Sequence, residues 1–172
     1  VAEGLIFHYF QTKEGVLFSL LKEMTESYLS GSRERMNNSA TGLDAIRAFI
    51  RFHFQFSREN SDALAVLIRD VPFPLPREGE ALNKLMQNSV DSVTSLWEEC
   101  IDRGEKDGTI RAVPIRETAL LMRGMLTGVS RLQILEPMEI PDLTSHIIDF
   151  CVRALSGIAE KKEASSVGSS KC

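Results

Sequence analysis

The sequence is short of the residues from which catalytic and metal sites are usually made. Its three cysteines, Cys100, Cys151 and Cys172, stand far apart, with no Cys-x-x-Cys pair among them. An odd, scattered set is neither a zinc-ligand pattern nor a disulfide framework, so no metal is expected and the expected compartment is a reducing cytoplasm. His8, His53 and His146 share no motif with a serine or cysteine nucleophile, and neither a paired-carboxylate motif nor a glycine-rich phosphate loop occurs. An enzyme is therefore not expected, nor a cofactor to serve one. No apolar run approaches the length of a membrane span, and the first residues lack the basic-then-apolar layout of a signal peptide.

Excess positive charge is missing too. The formal net charge is −4, from 20 basic and 24 acidic residues, whereas a nucleic-acid-binding module usually carries a basic stripe. Nor does any stretch alternate apolar and polar residues at period two for long enough to make a strand. What is present is helical periodicity in a chain of 172 residues, a length that suits one domain with a real core.

The apolar positions mark out six helices. Val16, Leu17, Leu20, Leu21, Met24 and Tyr28 give the first a broad stripe, beginning near Thr12 and running to about Met36. After the polar turn Asn37–Gly42, Leu43–Arg58 carries Ile46, Phe49, Ile50, Phe52, His53 and Phe56. A short helix, Ala63–Asp70, precedes the run Val71-Pro72-Phe73-Pro74-Leu75-Pro76, whose alternating prolines cannot be helical. Glu78–Arg103 has the cleanest pattern and should stop at Gly104–Gly108. Ile115–Leu135 follows, with Pro114 suited to its first turn, and Asp142–Lys161 comes last. The Ser/Gly-rich tail reads as disordered. The fold class is all-α, a helical bundle.

One stretch is more specific. In Val1–Leu21, Phe7, His8, Tyr9 and Phe10 crowd a short segment, followed by Thr12-Lys13-Glu14 at a helix start and then Val16-Leu17. The pattern Val1-x-x-Gly4-x-Ile6-Phe7-x-Tyr9-Phe10-x-Thr12-Lys13-Glu14-x-Val16-Leu17 resembles the end of the helix-turn-helix of the TetR family of bacterial transcriptional regulators. The run Glu98–Arg111 is also similar to that family's frequent end for the helix placed here at Glu78–Arg103. The resemblance implies that residues 1–12 are the remainder of a helix-turn-helix, 13–162 a ligand-binding and dimerisation domain, and 163–172 a tail. It also implies two further helices before Val1, so the chain is expected to be a piece of a longer protein.

Carried over by position, the resemblance makes Glu3, Leu5, His8, Tyr9 and Lys13 the candidates for contact with operator DNA. Two of them depart from the family. Leu5 stands where a hydroxyl residue is usual and can offer a thymine methyl only apolar contact. Glu3 would repel phosphate, though it could accept from cytosine.

An apolar set mixed with polar handles, Phe49, Phe52, His53, Phe56, Phe73, Met86, Val90, Trp97, Met122 and Met125, is the candidate pocket for a small apolar or amphipathic effector. The same residues could equally be plain core. The last two helices offer Leu121, Gly124, Gly128, Leu132, Ile147, Cys151 and Leu155 as half of a four-helix homodimer interface, or as a core with two close-packed glycines. The functional expectation is a ligand-responsive DNA-binding regulator, a repressor in the manner that the resemblance implies. The alternative is a helical small-molecule carrier or dimeric interaction module with no DNA role, which the acidic balance, Glu3 and Leu5 favour.

Overall fold

The computed structural model describes residues 13–70, 80–135 and 140–156, and these form six helices and no strand. They are α1 (Lys13–Asn37), α2 (Gly42–Glu59), α3 (Ser61–Asp70), α4 (Glu80–Asp107), α5 (Ile115–Leu135) and α6 (Thr144–Leu155). The all-α expectation holds. The Thr12 start, the Val71–Pro76 run, residues 1–12 and the tail lie outside the described residues. No helix among the described residues is long and apolar enough to cross a membrane.

Helix α2 is the hub, packing against all five others. Its sequence explains why. Ala45, Ile46, Phe49, Ile50 and Phe54 are essentially inaccessible, and Leu43, Phe52 and Phe56 are nearly so, so apolar contact runs around most of the circumference. The ring of Phe49 stacks on Trp97 of α4 with centroids 4.2 Å apart. Leu126 from α5 and Ile147, Cys151 and Leu155 from α6 close the same core. A smaller cluster, Leu17, Leu67 and Leu82, joins α1, α3 and the start of α4.

The start of α2 is held by the end of α4. Thr41 caps the helix, its hydroxyl accepting from the Asp44 backbone N–H at 3.1 Å, which satisfies one first-turn donor. The Gly42 N–H donates to Asp107 Oδ2 at 2.6 Å, and the Leu43 N–H to Thr109 Oγ1 at 3.3 Å. Arg103 donates to the carbonyls of Met36, Ser39 and Ala40, covering acceptors that the end of α1 would otherwise leave open.

This junction corrects the expected end of α4. The helix does not stop at Arg103 but runs through Gly104 to Asp107, while Gly108 is left-handed, with φ 78°, as a glycine closing that turn is expected to be. Gly104 is retained inside the helix because two backbones meet there. A Cβ on Gly42 would lie 2.1 Å from the Gly104 nitrogen, and one on Gly104 would lie 2.3 Å from Ile110 Cδ1. The last helix begins at Thr144 rather than at Asp142, whose carboxylate accepts from the Thr144 N–H at 2.9 Å.

Candidate functional site

Between α1 and the rest of the bundle lies an apolar cavity of about 200 Å³. Leu21, Met24, Thr25 and Tyr28 of α1 form one wall, and His53, Phe56 and Ser57 of α2 form the opposite one. Leu64 and Leu67 of α3, Val93 of α4 and Thr127 of α5 complete it. A helical stripe explains the first wall: positions 21, 24 and 28 fall on one face at spacings of three and four. The cavity exists because α3 is short and packs on α1 lower down, through Leu17 and Leu67, leaving its upper part unfilled.

A chain of polar groups crosses this region. Tyr28 Oη lies 2.8 Å from His53 Nδ1, His53 Nε2 lies 2.9 Å from Ser130 Oγ, and the Ser57 hydroxyl donates to Ser130 Oγ at 3.2 Å. Three helices, α1, α2 and α5, are thereby tied together. Burial drives the imidazole of His53 down to about 4, partly opposed by a hydrogen bond to the Leu126 carbonyl, so the ring is neutral at pH 7. Burial also raises the Tyr28 phenol, opposed by Ser32, so it keeps its proton. Ser32 Oγ is itself fully buried beside Tyr28, without a hydrogen bond of normal geometry. Aromatic edges surround Tyr28, with Phe56 at 5.3 Å and Phe52 at 5.6 Å between centroids.

The expected effector residues are divided among several places. His53 and Phe56 line the cavity. Phe49 and Trp97 are stacked core residues, each no more than 1% exposed, and no guest reaches them without unpacking the bundle. Phe52 sits under the Arg35 guanidinium, 4.2 Å from its centroid. Met86 and Val90 are half-buried on α4 and are not part of the cavity wall. Met122 and Met125 belong instead to a second apolar groove, about 370 Å³, between α5 and α6. Phe73 lies outside the described residues. Tyr28, Met24, Thr25 and Ser57 were not anticipated, although Tyr28 and Met24 already stood in the stripe of α1.

The expected interface residues separate by exposure. On α5, Leu121 is 75% and Leu132 45% exposed, and a Cβ added at Gly124 or Gly128 would meet nothing within 4 Å. On α6, Ile147, Cys151 and Leu155 face the chain's own core instead, because that side of the helix packs on α2. The large apolar residue that α6 exposes is Phe150, at 64%. Burial pushes the thiols of Cys100 and Cys151 up to about 12 and about 11, and both are free. Of the DNA candidates only Lys13 is described. Its Nζ is 2.6 Å from Asp70 Oδ1 at the end of α3; Glu3, Leu5, His8 and Tyr9 lie outside the described residues.

The described residues thus make a helical bundle with a central hub, an apolar cavity beside its first long helix and exposed apolar side chains on its last two helices. The family described as "Tetracyclin repressor-like, C-terminal domain" matches residues 39–131, more than half of the chain, and the protein belongs to the TetR family.

Among curated proteins, the fatty acid metabolism regulator protein of Bacillus subtilis is 25% identical over 109 residues. That match covers 63% of this chain and 56% of the relative, so the chain spans little more than half of that protein's length. Two solved structures share the fold. The transcriptional regulator FadR from Bacillus subtilis in complex with stearoyl-CoA has a TM-score of 0.70 at 18% identity, covering 90% of this chain and 83% of that one. AibR in complex with isovaleryl coenzyme A and operator DNA has a TM-score of 0.66 at 19% identity, covering 88% and 78%.

Proposed function

We propose that this chain is the effector-binding and dimerisation part of a ligand-responsive transcriptional regulator that binds operator DNA as a homodimer. The observation that carries the reading is the cavity between α1 and α2. Any guest there touches Leu21, Met24 and Tyr28 on one side and His53 and Phe56 on the other. It therefore has a different affinity for bundles in which α1 sits nearer or farther, and such a difference is what shifts a two-state equilibrium. The start of α1 continues from the segment that resembles a recognition helix. Movement of α1 would change the spacing of two reading heads, and half-sites a helical turn apart tolerate little error in that spacing.

The effector is a small apolar or amphipathic molecule. The two relatives crystallised with acyl coenzyme A ligands support an acyl or alkyl chain as its apolar part.

Homodimerisation is supported by the outer face of α5. Leu121, Gly124, Gly128 and Leu132 fall on one stripe, and the two glycines have open space where their side chains would be. Each glycine weakens a helix interior by roughly 0.5–1 kcal/mol relative to alanine, and nothing among the described residues uses their smallness. A close-packed partner helix would.

The test is fluorescence anisotropy of the full-length gene product on DNA adjoining its own gene, over a range of salt, with and without acyl-chain ligands of graded length. Affinity that falls steeply with salt and is relieved by ligand is expected. Affinity that is flat with salt favours instead a carrier with no DNA role.

A further inference from the structure

Helix α1 opens with a lysine, the charge that this end of a helix disfavours. The free N–H groups of a first turn carry partial positive charge and attract an anion, and Lys13 adds a full charge to theirs. In this structure the anion comes from the chain itself. Lys13 Nζ lies 2.6 Å from Oδ1 of Asp70, the last residue of α3. The pair is open to solvent, with 68% of the lysine side chain and 38% of the aspartate accessible, but buried packing positions it. Leu17, one turn after Lys13, and Leu67, one turn before Asp70, are buried in one cluster, and residues three or four apart share a helix face. That contact sets the two helix ends side by side, with the lysine opposite the carboxylate. Leu67 is also part of the cavity wall, so the partner of Lys13 stands one turn from a residue that a guest would touch.

We propose that Asp70 is an autoinhibitory stand-in for a DNA phosphate: by holding Lys13, it keeps the start of α1 from neutralising the backbone of a bound duplex. The inference rests on the reading of the chain as part of a DNA-binding regulator, in which α1 begins where the segment resembling a recognition helix ends. A phosphate brought to this turn competes with the carboxylate for one ammonium group. It gains the contact only by breaking the existing pair, and it then meets the bare charge of Asp70. An exposed ion pair is weak, so the restraint tunes affinity and does not abolish binding.

The experiment is fluorescence anisotropy of the full-length homodimer on DNA adjoining its own gene, over a range of salt, for the unaltered protein and three variants. Asp70→Asn frees the lysine. It is expected to bind about fivefold more tightly at ~0.1 M salt, since each of two protomers gains one exposed ion pair. The plot of log affinity against log salt should steepen by roughly 0.9 for each protomer. In Lys13→Gln/Asp70→Asn that gain should vanish, because the lysine that makes the new contact is gone. Glu14→Gln removes a negative charge from the same turn without freeing a lysine, and should leave the slope unchanged. Asp70→Ser repeats the first arm without an amide oxygen to hold Lys13. Two results overturn the stand-in and leave DNA binding intact: Asp70→Asn and Asp70→Ser no tighter than the unaltered protein, or Glu14→Gln matching Asp70→Asn in affinity and slope. Binding by no form at any salt removes the DNA-binding reading and the inference together.

Discussion

The hydroxyl of Tyr28 and Nδ1 of His53 lie 2.8 Å apart, so a hydrogen bond joins the first long helix to the central one. Helix α1 and the hub α2 therefore share one part-buried, uncharged polar contact beside the cavity.

This predicts an acid-sensitive fold. His53 is held at about 4 in the folded state, against roughly 6.5 in an unfolded chain. Between those values the unfolded state binds the extra proton, so stability is complete above about pH 6.5 and declines as the pH falls towards 4. The loss is on the order of 3 kcal/mol at most. Urea unfolding at a series of pH values should show this slope, and His53→Gln should flatten it; an unchanged slope in the variant would place the titrating group elsewhere.

Glycines at two places in the bundle should respond in opposite ways to alanine. At Gly42 or Gly104 a new Cβ would press on backbone or on Ile110 at 2.1–2.3 Å, forcing the α2–α4 junction apart. A loss of several kcal/mol is expected, in the range of overpacked cores or beyond. Gly128→Ala enters open space and should stabilise the isolated chain by roughly 0.5–1 kcal/mol. If Gly128 lies against a partner helix, the same change should weaken dimers. Thermal unfolding and sedimentation on one set of samples test both halves.

Leu121→Asp and Phe150→Asp should leave the monomer's fold intact, because both side chains point outward at 75% and 64% exposure. Both variants are expected to run as monomers by light scattering. A dimer that survives both changes would rule out the α5–α6 face as the interface.

Trp97→Ala, by contrast, removes the ring stacked on Phe49 at the centre of the bundle. A loss of about 3–5 kcal/mol is expected, measured by denaturant midpoint. A cost below ~1 kcal/mol would mean that the pair is not the core contact its geometry makes it.

The helices were legible from the chain because each one's apolar residues recur at its own period, and α5 was bounded as expected at Ile115 and Leu135. The end of α4 was not. A glycine inside a helix looks like a stop unless one knows that another backbone crosses there, as Gly42 does. The candidate site was legible only in part. His53 and Phe56 stood out as aromatic or polar in an apolar helix, whereas Met24 and Tyr28 look the same in sequence whether they face a void or a packed neighbour. Phe49 and Trp97 carried the same aromatic signal as Phe56 and turned out to be the packed centre.

Periodicity and local chemistry in the sequence decide which segments become helices and which of their faces are apolar, because these follow from contacts within a few residues. Which apolar face is filled, which is left hollow and which is left bare depends on the offsets between helices. Those offsets come from long-range packing: the short α3 that stops below Tyr28, the glycine crossing that seats α4, and α6 turning Ile147 inward and Phe150 out. Tertiary structure alone made a cavity of one stripe and an open surface of another.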